Sequence, residues 1–316
     1  MREMRKLTAI LCVILGFILQ SWGFYAHRLI NKMACLSLPE ELKITFRTHI
    51  QYLSDHAIDP DKRCYIDTLE PEKHYIDLED LEGIKEQKIV SWSQANALWG
   101  LERMRKAGVI PWQINNSYYQ LKKAFENENL ARALKVAAEL GHYIADSHVP
   151  LHTTKNYNGQ LTNQRGIHAL WETKIPEMFA ESYNYFVGKA FYVENPLEMA
   201  WSIVHESHKL VDSVLKLEKE LTESMSMDKK YAFVTRKGQI NRNYSDSFVK
   251  KYHELLDGMV EKRLRQSILL TASFWYTAWI DAGSPKFEPT FDLMSSNDNL
   301  LIDMNTQKIK GRTEWH

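Results

Sequence analysis

From Ser37 to Gly283 apolar side chains keep returning at intervals of three and four residues, and that spacing commits the chain to helices. Leu42, Phe46, Ile50 and Leu53 set the pattern. Gly and Pro number only 13 and 9 in 316 residues, too few for a turn-rich β architecture. No stretch sustains a period of two, no unit repeats and no Gly/Ser-rich linker divides the chain. The expectation is an all-α fold, a single-domain multi-helix bundle. Helices are expected over 37–58, with Ser37 as cap and Pro39 in the first turn, and over 93–108, stopped by Gly108. Others cover 111–128 and 129–148, a stretch beginning near His168, then 196–221, and 246–283 with Gly283 and Pro285 as the stop. Residues 59–73 and 153–166 read as polar and irregular.

The N-terminus carries Arg2, Arg5 and Lys6 ahead of an apolar run from Leu7 to Leu19. That run falls short of the roughly 20 residues a spanning helix needs, and Ser21 is small enough to precede a cleavage point. Residues 1–21 therefore read as a signal peptide, 22–283 as the functional domain and 284–316 as an irregular tail. An uncleaved anchor is the competing reading. With no second apolar segment of spanning length, the mature chain is expected to be secreted or periplasmic, without a stable membrane span, and monomeric. Cys12 falls within the signal, which leaves Cys35 and Cys64. Export brings oxidising conditions, so a bridge between them and two buried thiols both fit the sequence.

Charge argues mildly against one kind of partner surface. The 40 basic and 40 acidic residues cancel, which argues against a broad basic groove tracking a phosphate backbone. Histidine placement is more telling. In "ELGHYIADSHVPLH", His142 and Asp146 lie four apart and leave one helical face. His168 and Glu172 in "GIHALWE" repeat the arrangement, and His152 follows Pro150, which should end the first helix. One such pair is most simply a surface contact. Two pairs plus His152 describe how a bundle builds a metal site from facing helices, with donors suited to zinc or another first-row metal. His148 is six residues after His142 and faces away. His49, His56, His205, His208, His253 and His316 fit ordinary surface or core roles, and Trp99, Trp112, Trp201 and Trp275 read as core anchors.

These positions resemble the superfamily of zinc-dependent phospholipases C and single-strand-specific nucleases, whose members also act as nucleotidases. The chain fits that pattern from Trp22, in "WGFYAH", to about Gly283, through His27, Asp59, His74 within "HYID", His142, Asp146, His152, His168 and Glu172. The resemblance implies a buried trinuclear zinc cleft. One ion would take Asp59, His74, His142 and Asp146. A second would take the Trp22 amine and carbonyl, His27 and the bridging Asp146; the third would take His152, His168 and Glu172. It also implies that Asp59 orients or deprotonates the attacking water. The chemistry fits a phosphodiester, a poor anionic electrophile: a metal pair supplies hydroxide near neutral pH and neutralises charge in the transition state.

The substrate signals conflict. Glu172 as the last acid and the Asn-containing loop lean toward phospholipase C, because the nucleases generally carry Asp there and a Gly-Gly-Asn loop. Pro60 and Pro71 stand where choline-contacting aromatics should fall, which argues the other way. Tyr75 and Asp77 match positions that stack on and hydrogen-bond to a base in the nucleases, although Tyr75 equally fits packing under the loop. The expectation is a zinc-dependent phosphodiester hydrolase, phospholipase C-like first. A single-strand nuclease or 3′-nucleotidase is the alternative, and a non-catalytic metal-stabilised helical protein the second. Its partner would be a phospholipid head group, a nucleotide or single-stranded nucleic acid.

Overall fold

The computed structural model describes residues 24–81, 83, 91–236 and 239–287. The signal peptide over residues 1–21, the Trp22 ligand and the irregular tail beyond Phe287 lie outside the described residues.

The helical expectation holds, with breaks that periodicity hides. A helix the sequence reading lacked, α1 (Phe24–Ser37), opens the described chain, so Ser37 ends a helix instead of capping one. Pro39 stands at the N-cap of α2 (Glu40–Thr48), and His49 separates that helix from α3 (Ile50–Asp55). The segment expected to be irregular contains α4 (Asp59–Arg63) and a 3-10 turn at Pro71–His74. Gly100, at φ 73°, splits the next helix into α5 (Trp92–Trp99) and α6 (Leu101–Ala107). That backbone geometry strongly favours glycine. α7 (Ile110–Glu126) and α8 (Leu130–Ser147) follow, the second capped by Asn129, whose side chain accepts from the Arg132 N–H at 2.9 Å. α8 ends at Ser147, and Pro150 opens a 3-10 turn to Thr153.

Beyond the loop, α9 (Ile167–Ala169) runs through a π turn at Leu170–Lys174 into α10 (Ile175–Phe179). The long amphipathic stretch divides into α11 (Pro196–His208) and α12 (Val211–Ser224). A short α13 (Met227–Lys230) leads into an antiparallel hairpin, β1 (Tyr231–Arg236) with β2 (Gln239–Tyr244), in which Tyr231 faces Tyr244. The period-two pattern is too short there to read against the helical background. Asp257 and Gly258, both at positive φ, divide α14 (Asp246–Leu255) from α15 (Met259–Asp281).

α8 is the axis of the bundle, with nearly every residue from Val136 to Ser147 buried. Its N-terminal half packs into a large core where Phe46 meets Trp275 at 5.2 Å and Trp112 meets Trp201 at 5.1 Å between ring centroids. The Trp275 indole N–H donates to the Ala137 carbonyl at 2.9 Å, so the ring is buried without stranding its polar end. Trp99 packs only partly buried against this core. A second cluster holds Leu151, Ile167, Leu170, Val214, Phe248 and Tyr252. The C-terminal turns of α8 carry Tyr143 and Ile144 of the first cluster, the chain enters the second at Val149, and His142 and Asp146 lie at this junction. Cys35 and Cys64 are buried, free thiols, which decides between the two readings left open.

Candidate metal centre

Close approach of α1 to α8 comes first, because it brings His27 to His142. Asn31, fully buried one turn after His27, donates from Nδ2 to the carbonyls of Leu53 and Ala138, both at 3.0 Å. Gly141 makes room for it: a Cβ at that position would lie 1.9 Å from Asn31 Oδ1. With the helices so joined, the His27 and His142 rings stack at 4.1 Å.

His142 and Asp146 leave the same face of α8 as their spacing requires. His142 Nε2 lies 3.2 Å from Asp146 Oδ2 and 3.0 Å from His74 Nδ1, while His74 Nδ1 lies 2.9 Å from Asp146 Oδ2. The other oxygen, Asp146 Oδ1, faces His27 Nε2 at 3.4 Å. A second set forms beside it. His168 Nε2 lies 2.7 Å and His152 Nε2 3.2 Å from Glu172 Oε2, and the two nitrogens are 3.3 Å apart. Glu172 also divides its oxygens, since Oε1 lies 3.5 Å from His27 Nε2. The π turn carries Glu172, a backbone irregularity often found at functional sites.

The acid supplied by α4 differs from the sequence expectation. Asp59 turns away, with Oδ1 at 2.8 Å from Lys62 Nζ and Oδ2 at 2.5 Å from His56 Nδ1. Asp61, two residues on, takes the inward position, with Oδ1 at 3.5 Å from His142 Nε2 and 3.7 Å from His74 Nδ1. Both acids lie in the first turn of a five-residue helix, and a count of residues back from His74 cannot tell which one faces inward. Among the described residues it is Asp61, not Asp59, whose carboxylate stands against the clustered imidazoles.

The donor geometry suits a metal. Zinc bound tetrahedrally by nitrogen and oxygen at about 2.0–2.1 Å holds its donor atoms about 3.3 Å apart. Four groups of three donors have all their ligand atoms within 4.8 Å of one another: His27–Asp61–His142, His74–His142–Asp146, His152–His168–Glu172 and His27–Asp146–Glu172. The rings are also aimed. Nδ1 of His142 bonds the Ala57 carbonyl at 2.8 Å, that of His152 the His74 carbonyl at 2.6 Å and that of His168 the Tyr157 carbonyl at 3.2 Å. Each bond fixes the tautomer that leaves Nε2 bare as a donor atom.

His74 is held from its other side by a buried group that sequence reading overlooked. Its Nε2 faces the Glu70 carboxylate at 3.7 Å and Cys64 Sγ at 3.5 Å. Glu70 is fully buried and receives Arg63, Lys73 and the Tyr143 hydroxyl. Burial alone would raise its carboxyl, but His74, Arg63 and Lys73 outweigh that and hold it well below the usual carboxylate range. The available signal was its position four residues before His74. Electrostatics across the cluster run in the same sense. Burial disfavours charge on Asp146 and Glu172, yet the surrounding imidazoles hold both carboxyls far down. His27, disfavoured as a cation by burial, is pushed up to about 9 by Glu172, Asp146 and Asp61.

His148, left out of the site on spacing, bonds instead to the Ile144 carbonyl through Nδ1 at 2.7 Å, and its own carbonyl accepts from Arg263. The Tyr75–Asp77 run does lie beside the cluster, because the Ile76 N–H donates to the His152 carbonyl at 2.9 Å. Tyr75 is half-buried, its hydroxyl donating to the Lys106 carbonyl at 3.4 Å, and Asp77 is buried with its N–H on the Ala107 carbonyl. α6, which carries Arg103, Lys106 and Ala107, walls a cleft of about 720 Å³ with Glu79, Asp80 and Trp99.

An all-α bundle whose buried imidazoles and carboxylates converge at zinc-like spacings defines the class: a helical metalloprotein with a multi-donor centre. The pattern of the S1/P1 nuclease family matches residues 22–268, most of the chain, and the protein belongs to that family. No curated protein matches it. Membership makes it a zinc-dependent hydrolase of phosphoric ester bonds with nucleic acid as the substrate class. Among the described residues, no helix is long and apolar enough to cross a membrane.

Proposed function

We propose that this protein is an exported single-strand-specific nuclease or 3′-nucleotidase that works with three zinc ions. The observation that carries the reading is the division of oxygens by Asp146 and Glu172, which joins three histidine-containing donor sets through two shared carboxylates. One ion would rest on Asp61, His74, His142 and Asp146, a second on His27 with Asp146, and a third on His152, His168 and Glu172. Trp22, five residues before His27, would complete the second set with its amine and carbonyl once residues 1–21 are removed. Zinc in such a centre lowers the pKa of a water and neutralises charge at phosphorus. Asp61, whose carboxylate faces His142 and His74, would orient such a water and accept its proton, the role the family resemblance implies for Asp59. Tyr75 and Asp77 would receive the base by stacking and hydrogen bonding.

The nuclease branch replaces the phospholipase-first expectation, because the family match runs through the whole metal-ligand span. Glu172 and the Asn-containing loop remain the features that favour phospholipase, and for that reason the test includes a phosphorylcholine ester. The test uses protein beginning at Trp22. Cleavage of single-stranded DNA and release of phosphate from a nucleoside 3′-phosphate, both abolished by chelation and restored by zinc, are expected. Turnover confined to a phosphorylcholine ester would overturn the nuclease assignment. Absence of turnover on all three substrates in a folded, zinc-loaded protein would favour a structural metal centre. A monomer in solution and export with cleavage before Trp22 complete the proposal, read by sedimentation and by N-terminal sequencing of the secreted product.

A further inference from the structure

Away from the cluster, a lysine lies almost wholly buried. Lys230 is 3% exposed and its ammonium contacts Glu218, 0% exposed, at 2.8 Å. The rings of Tyr231, Tyr244 and Phe248 surround the ammonium at 5.2, 5.5 and 5.4 Å from their centroids. Such a cage favours a cation, but burying two charges costs about as much as their attraction returns. Added stability is a weak explanation for the pair, so the question is what else it holds.

Both oxygens of Glu218 are engaged. Oε1 receives Lys230, the Thr222 hydroxyl at 3.0 Å and the Tyr244 hydroxyl at 3.4 Å, and Oε2 receives the Gln164 amide at 2.6 Å. Gln164, buried, also donates to the Leu215 carbonyl at 2.7 Å, so its side chain is fixed at both hydrogens. Its backbone ties the loop that precedes α9. The Gln164 N–H donates to the Gly159 carbonyl at 2.8 Å, and its carbonyl receives the Ile167 N–H at 3.2 Å. Inside that ring Asn158 Oδ1 accepts from the N–H groups of Gly166 at 2.9 Å and His168 at 3.3 Å, while Tyr157 supplies the carbonyl that aims the His168 ring. Tyr244 closes over the same turn, since a Cβ on Gly166 would meet its ring at 3.4 Å.

We propose that the caged Lys230–Glu218 pair is a positioning device for His168, acting through Gln164 on the loop over 156–168. The pair's contacts given above do not include a member of the donor cluster. It anchors Gln164, whose side chain ties the loop's closing turn to α12, and it stands at the root of the hairpin, where Lys230 precedes β1 and Tyr244 ends β2. The inference rests on the reading of His152, His168 and Glu172 as ligands of one ion.

The test measures zinc per chain as chelator concentration rises, in protein beginning at Trp22, for wild type and for Gln164→Leu, Lys230→Met and His168→Ala. Gln164→Leu leaves the buried ion pair intact and is the decisive variant should Lys230→Met not fold. Both are expected to surrender one zinc equivalent at roughly 10- to 100-fold lower chelator than wild type, the size of effect seen when an outer partner of a ligand is removed. The remaining equivalents should stay as firmly held as before. A role confined to stability would lower the melting temperature of Gln164→Leu without selective loss of one ion. That result, or wild-type retention in the variants, would overturn the proposal. If His168→Ala loses no zinc relative to wild type, the ligand reading itself fails, and the proposal with it.

Discussion

Asp59 and Asp61 give the sharpest available test, because sequence spacing favours one and the structure the other. Asp61→Asn removes an anionic donor whose Oδ1 is 3.5 Å from His142 Nε2 and 3.7 Å from His74 Nδ1, separations close to those of two ligands on one zinc. Loss of a mere outer partner costs about 10–100-fold in metal affinity, so loss of a direct donor should cost at least about 100-fold, or about 2.8 kcal/mol at 1.4 kcal/mol per tenfold. Asp59→Asn breaks only contacts to Lys62 and His56 at a side chain that is 18% exposed. Pairs of that kind are worth about 0–1 kcal/mol in folding and nothing in direct ligation. Zinc affinity would be read by competition with a chromophoric chelator, with helicity followed by circular dichroism to confirm that both variants fold. Asp61→Asn should lose one tightly bound equivalent and most turnover, with Asp59→Asn close to wild type. The reverse order would refute the assignment of Asp61, and equal losses would refute the claim that only one of the two acids faces the cluster.

Asp146→Asn should release more than one zinc equivalent, because its two oxygens face different donor sets; retention of all but one equivalent, measured by elemental analysis, would rule out sharing. Glu70→Ala strips a buried carboxylate from Arg63, Lys73, Tyr143 and His74 and should cost about 3–5 kcal/mol, read from the denaturant midpoint. Gly141→Ala places a Cβ 1.9 Å from Asn31 Oδ1 and should destabilise by about 1–3 kcal/mol while pushing α1, and His27 with it, away from His142. Thiol titration of protein beginning at Trp22 should find two reactive groups in denaturant and none in the native state, since Cys35 and Cys64 are both free and buried.

The parts of the site that sequence made legible are those set by helix geometry alone. His142 with Asp146 and His168 with Glu172 are fixed four apart, so their convergence needs no knowledge of the fold. What sequence did not settle depends on side-chain competition or on backbone breaks. Lys62 and His56 engage Asp59 while Asp61 faces His142 and His74, a local difference invisible to periodicity. Continuous amphipathic stretches concealed breaks at Gly100, at Lys209–Leu210 and at Asp257–Gly258, since a short interruption leaves the apolar spacing nearly in phase. Glycine at φ 73° and 74° marks two of these, but an isolated glycine within a helical pattern does not announce its φ.

A deeper limit concerns how the donors divide among ions. The family resemblance already implies that Asp146 serves two ions but gives Glu172 to one alone; in the structure His27 lies 3.4 Å from Asp146 and 3.5 Å from Glu172, within reach of both pairs. The reason is the approach of α1 to α8 through Asn31 and Gly141, contacts between residues 110 positions apart that no local pattern encodes. Once that approach is made, Asp146 and Glu172 each turn one oxygen to His27 and the other to a further histidine, and so become joints between neighbouring sets. The fold thus does more than collect donors. By seating α1 on α8 it turns two separable helix-surface pairs into one connected cluster, and a shift of α1 by a fraction of an ångström would be felt at every set that His27 touches.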